Sequence, residues 1–158
     1  PEPTIFMEPK KAMNIVGSGL TAQQLRLDVI SENITNLNTT RTEEGDGPYR
    51  RKIVVFEAES GRNDFRMAMA SAMGASNRGS ERAGGVKVVE IAEDPSPFAI
   101  SYDPTHPDAN EEGYLEMPNI TLVKEITDAM AATQAYSANV TAFNTLKAVV
   151  ARGMDIGR

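Results

Sequence analysis

The sequence predicts a mainly α fold with a small β module. Long N- and C-terminal helices pair as a coiled coil, and a central antiparallel β-rich insertion lies between them. Three observations carry that expectation. Apolar residues recur in steps of three and four at both ends, short β-branched runs occupy the middle, and glycine and proline punctuate those runs. The expected division is a terminal helical coiled-coil domain, residues 1–40 with 119–158, and a central β-rich module, 41–118, with a flexible loop at about 60–84.

Pro9 suits the first turn of a helix running from about Lys10 to Leu37. Along it Met13, Val16, Leu20, Gln23, Leu27, Ile30, Ile34 and Leu37 share one stripe, with Gln23 as the polar interruption. Gly17 and Gly19 cost about 1 kcal/mol each against alanine, so they mark local weakness or the close approach of a neighbouring helix. Asn33, Asn36 and Asn38, with Thr35, Thr39 and Thr40, stop the helix. Asparagine tolerates left-handed backbone angles, and all these side chains compete for backbone partners.

Glu43 to Pro48 reads as a turn and Tyr49 to Glu57 as a strand, with a continuous apolar run from Ile53 to Phe56. Between Ser60 and Gly85 the composition fits a mobile insertion, with at most a short helix near Phe65 to Met73. Gly85 to Ile91 is the clearest strand, followed by Phe98 to Tyr102, an acidic Pro-rich loop from Asp103 to Gly113, and a short strand from Tyr114 to Pro118. A second helix spans about Thr121 to Asp155, capped by Asn119 or Thr121 and followed by Gly157. Its stripe is Leu122, Ile126, Ala129, Thr133, Tyr136, Val140, Phe143, Val150 and Met154, interrupted by Lys147. Leu25 and Val29 on one helix, with Val123, Leu146 and Val149 on the other, widen the apolar surface, which suggests more than one partner per helix.

With 158 residues the chain suffices for one domain with appendages. A net charge of −6 argues against general nucleic-acid binding and against attachment to an anionic membrane surface. Cysteine is absent, which excludes disulfides, thiolate catalysis and cysteine-held metals. No run approaches the roughly 20 apolar residues of a membrane-spanning helix. Pro1 to Lys11 lacks the apolar block and cleavage site of a secretory signal, so any export should use another route.

Catalytic signatures are missing. His106 lies among Asp103, Asp108, Glu111 and Glu112, yet the spacing fits no calcium loop, and a Pro-bounded acidic loop is usually solvated. Gly17-Ser18-Gly19 lacks both the preceding strand and the third glycine of a dinucleotide site. Arg50, Arg51 and Lys52 read as a solvated strand start. The expectation is therefore no enzyme, no cofactor and no metal.

Several segments are specific in combination: GSGLTAQQLRLDVISENITNLNTT (17–40), PYRR (48–51), GVKV (85–88), YDPTHPDANEEGY (102–114), PN (118–119) and YSANVTAFNTLK (136–147). Together they resemble the bacterial flagellar rod, hook and hook-associated family, and the His-Pro-Asp loop points to its proximal-rod members. The resemblance implies a structural subunit of the basal-body rod, located in the flagellum, without catalytic activity. It implies export by the flagellar type III apparatus and helical stacking into the drive shaft, with the terminal helices innermost. Implied partners are further copies of the chain, the rod subunits FlgB, FlgF and FlgG, the adaptor FliE and the export apparatus. Neither nucleic acid nor direct membrane insertion is implied.

The expected assembly interface joins Met13, Val16, Leu20, Leu27, Ile30, Asn33, Ile34, Asn36 and Leu37 to Ile126, Tyr136, Asn139, Val140, Phe143, Asn144 and Val150. Another rod or hook subunit, a soluble coiled-coil adaptor and a small metal enzyme built on His106 are the competing readings.

Overall fold

The computed structural model describes residues 4–45, 47–58 and 84–157. The expected loop at about 60–84, with its short helix, lies outside the described residues apart from Gly84. The elements follow the expected order: α1 (Thr4–Thr35), β1 (Lys52–Ala58), β2 (Val86–Glu93), β3 (Ala99–Tyr102), β4 (Tyr114–Met117) and α2 (Leu122–Ile156). β1 pairs with β2, and β3 pairs with β4 in a second two-stranded sheet.

Local chemistry explains where the helices stop. α1 begins at Thr4, earlier than expected, so Pro9 sits inside the helix rather than in its first turn. At the other end Leu37 donates to the Ile34 carbonyl, a tightened turn, while the Asn36 and Thr35 side chains bond back to the Glu32 and Ser31 carbonyls. Competition for backbone partners therefore ends the helix. The expected left-handed asparagine does not occur, since no described residue other than glycine has positive φ. α2 starts with Glu125 donating to the Thr121 carbonyl at 3.0 Å, which makes Thr121 the cap residue. Asn119 is engaged elsewhere.

The chain divides into two compact units. The first comprises Pro1–Ala22, Phe56–Lys87 and Ser137–Arg158. Here a Cβ built on Gly19 would stand 2.9 Å from Asn139 Nδ2, whereas Gly17 has nothing within 4 Å. Close helix approach explains the first glycine and not the second. Ser18 Oγ donates to the Ile15 carbonyl at 2.6 Å and accepts from the Val86 backbone at 3.1 Å, which ties the start of β2 to α1.

The second unit comprises Gln23–Val55 and Val88–Tyr136. Its buried apolar residues are few: Val29, Ile30, Tyr49, Leu115 and Ala132. The β3–β4 ribbon is antiparallel, with Ala99 opposite Met117 and Tyr102 opposite Tyr114. Its turn closes on Gly113, whose φ of +86° lies in the left-handed region. A Cβ there would meet Tyr102 Cε2 at 2.9 Å and Pro104 Cβ at 3.0 Å. Gly113→Ala should therefore cost about 1–3 kcal/mol, from positive φ plus the clash. A lowered midpoint in urea unfolding checks this, and an unchanged midpoint refutes it.

Candidate assembly interface

The largest fully buried side chains of the second unit are polar. Asn33 is 1% exposed and Glu125 0%. Arg51, at the end of the loop before β1, reaches three carboxylates: Nε to Glu125 at 2.5 Å, Nη1 to Asp94 at 3.1 Å and Nη2 to Asp128 at 3.2 Å. The planar guanidinium suits such divided pairing, and each bond is charge-assisted. Its backbone N–H donates to Asn119 Oδ1 at 2.8 Å, which is why β1 begins at Lys52 rather than at the expected Tyr49. Asn119 Nδ2 meanwhile holds the Asp94 and Ser96 carbonyls at 3.1 and 3.0 Å.

Asn33 completes the cluster from α1. Its amide donates to the Lys52 carbonyl at 2.8 Å and accepts from the Lys52 N–H at 2.9 Å, as a neighbouring strand residue would. It also donates to Glu125 Oε2 at 3.3 Å. Tyr49 hydroxyl donates to Asn33 Oδ1 at 3.4 Å, and burial together with Glu32 pushes that phenol upward from its ordinary range. Arg50 lies 4.2 Å from the Phe98 ring centroid, and Lys52 pairs with Glu32 at 2.8 Å. The basic triplet is thus structural, not a solvated strand start. Three consecutive cations gave no sequence signal of their separate destinations, because their partners, carboxylates for Arg51 and Lys52 and backbone carbonyls with Phe98 for Arg50, lie at distant positions.

Hydrogen bonds from the Ser96 hydroxyl and backbone, aided by Arg51, hold the Asp94 carboxyl down at about 2. Arg51 itself is raised: burial opposes its charge, but Glu125 and Asp94 outweigh it. In the 103–113 loop, His106 Nδ1 accepts from the Asp108 N–H at 3.1 Å, and Asp108 binds Thr40 at 2.8 Å and Arg41 at 2.6 Å. Thr105 satisfies Asp103 at 2.6 Å. These partners give the loop a structural role. Among the described residues no cluster of His, Cys, Asp and Glu could hold a metal, and no helix is long and apolar enough to cross a membrane.

On α1, Ile30 and Asn33 are buried, while Met13, Val16, Leu20, Leu27, Ile34, Asn36 and Leu37 are half-buried. On α2, Tyr136, Asn139, Val140, Phe143 and Val150 are half-buried, and Ile126 and Asn144 are exposed. Of the buried positions, Ile30 lies on the expected stripe, while Ala22, Val29 and Asn33 on α1 and Glu125 and Ala132 on α2 each precede a stripe residue by one. One residue is about 100° of helix rotation. The expected interface included Asn33, which lies off the apolar stripe, but not Glu125, whose burial hydropathy gave no sign of. Leu122, Val123, Ile126 and Met130 are left exposed on α2.

Residues 13–41 match the family model described as "Flagella basal body rod protein", and residues 111–155 match "Flagellar basal body rod FlgEFG protein C-terminal". The flagellar basal-body rod protein FlgC of Bacillus subtilis is 42% identical over 93% of this chain and 97% of its own length. Its namesake in Borreliella burgdorferi is 38% identical over 92% and 95%, and that of Salmonella typhimurium 32% over 92% and 95%.

Arg51→Leu leaves Glu125 buried without its cation and should destabilise the protein by about 3–5 kcal/mol. The double variant Arg51→Leu/Glu125→Leu should recover much of the loss, as a double-mutant cycle in urea would read out. Asp94, Asp103 and Asp108 all titrate below their ordinary range. The unfolded chain therefore binds more protons as pH falls from about 4 to 2, and stability held above that window is lost within it. Asp94→Asn should flatten that decline by about 1–2 kcal/mol, allowing for solvent screening, in thermal melts across the window.

Proposed function

Since this chain belongs to the FlgC family of flagellar basal-body rod proteins, we propose that it polymerises through its terminal helices to carry motor torque along the proximal rod. It is a structural subunit of the basal-body rod, and the flagellar basal body is its location. The observation that carries the proposed mode of assembly is the one-residue offset between the polar intrachain contact and the apolar stripes. Leu122, Val123, Ile126 and Met130 remain uncovered in a single chain. Covering each large side chain yields roughly 1.5–3 kcal/mol, so neighbouring copies gain where the lone chain cannot.

In this reading residues 1–40 and 119–158 form the assembling domain, and the helices complete a coiled coil with those of adjacent subunits. The interface expected from the sequence is the set of stripe residues, Met13 to Leu37 on α1 and Ile126 to Val150 on α2. FlgB, FlgF, FlgG and FliE are the neighbours proposed, together with further copies. Delivery by the flagellar type III apparatus fits ends that gain order on assembly, since ordering a residue costs about 1–2 kcal/mol before any contact repays it. The proposed role requires no catalysis.

Ile126→Asp and Met130→Asp test the interface at exposed positions, where the fold should change by no more than about 0.5 kcal/mol. Each variant should fold normally and yet be lost from isolated basal bodies, with swimming abolished. Wild-type incorporation and motility with both charges in place would overturn the proposed interface.

A further inference from the structure

The β3–β4 ribbon has one face covered only on its β4 side and one open face. Leu115 is buried on the first, while Ile100, Tyr102 and Tyr114 are 72%, 65% and 46% exposed on the second. The register sets Ile100 opposite Glu116 and Tyr102 opposite Tyr114, so these four side chains share that face. The two tyrosine rings meet edge to face with centroids 5.2 Å apart, which gives the face a defined shape.

The edge of β3 is open as well. Asp103 donates to the Gly113 carbonyl at 2.9 Å, and bonded pairs alternate along an antiparallel ladder. Ser101–Leu115 and Ala99–Met117 are therefore the bonded pairs, which turns the backbone N–H and C=O of Ile100 and Tyr102 to the outer edge. Among the described residues no third strand covers that edge. Carboxylates predominate around the same region, although Arg41 lines a cavity with Tyr114 and Glu116. Glu111, Glu112 and Glu116 are exposed, and no described lysine or arginine pairs with them. Asp108, in contrast, is answered by Arg41.

We propose that β3 is a docking edge for an extended, basic segment of a different rod protein, which adds as a strand beside it. Main-chain bonds to Ile100 and Tyr102 would supply affinity, an apolar side chain would lie on the Ile100–Tyr102 face, and lysine or arginine would meet the glutamates. A second copy of this chain is disfavoured, because its net charge of −6 opposes an acidic ribbon. The inference rests on the reading of the chain as a rod subunit.

The test replaces Tyr102 with the photo-crosslinker p-benzoylphenylalanine in the full chain, expressed in cells lacking the wild-type copy. Irradiated basal bodies are isolated, and the crosslinked peptides are identified by mass spectrometry. The expected product joins Tyr102 to a lysine- or arginine-bearing peptide of another rod protein. Glu112→Lys with Glu116→Lys should lower the crosslink yield per incorporated copy about tenfold. A crosslink only to another copy of this chain, a crosslink to an acidic peptide, or an unaltered yield in the charge-reversed variant would each overturn the proposal. Normal incorporation without any crosslink would overturn the docking edge alone. Absence of the chain from basal bodies would overturn the rod reading and the docking edge with it.

Discussion

A buried carboxylate that must be neutralised governs the second unit. Glu125 lies one turn into α2 with no exposure, and a lone ion there would cost several kcal/mol. Arg51 answers it, and doing so fixes the loop before β1, draws in Asp94 and Asp128, and leaves the Arg51 backbone to Asn119. Asn33 then bonds to both Glu125 and Lys52, which brings α1 into the same contact. The buried ions of this contact are paired and hydrogen-bonded, which offsets their loss of solvent.

Directional bonds of this kind specify register in a way apolar contact does not. A slide of α1 by one residue would leave Asn33 unable to reach Lys52 and would strand Glu125 without its amide. The stripes on either side carry no such demand and can accept a neighbour's side chains by shape. Division of labour between polar self-contact and apolar outer surface supports the proposed assembly.

The element order was legible in the sequence because periodicity and punctuation are local. Thr121 began its helix as a capping residue should, and the Asn- and Thr-rich segment ended α1. Gly19 was readable as a close approach, though the same rule applied to Gly17 would have misled. What escaped was non-local. Nothing near Arg51 in the chain announces Asp94, Glu125 or Asp128, which lie 43, 74 and 77 positions away. Hydropathy alone also gives no sign that Glu125 is buried, and most of the buried helix positions fall one residue from the apolar stripe. Asn119 misled differently: its type suits a cap, but the loop needed its amide more.

The paired bonds between the Asn33 amide and the Lys52 peptide have a consequence for which letters this position can hold. Aspartate offers no donor for the Lys52 carbonyl and would face Glu125 with a second negative charge. Glutamine carries the right groups on a stem one carbon too long, so its amide would overshoot the peptide it imitates. Leucine fills the volume yet leaves both a strand N–H and its carbonyl dry and unanswered. Each of these three letters fails at this position for a different reason, and the amide of Asn33 meets every one of those demands at once.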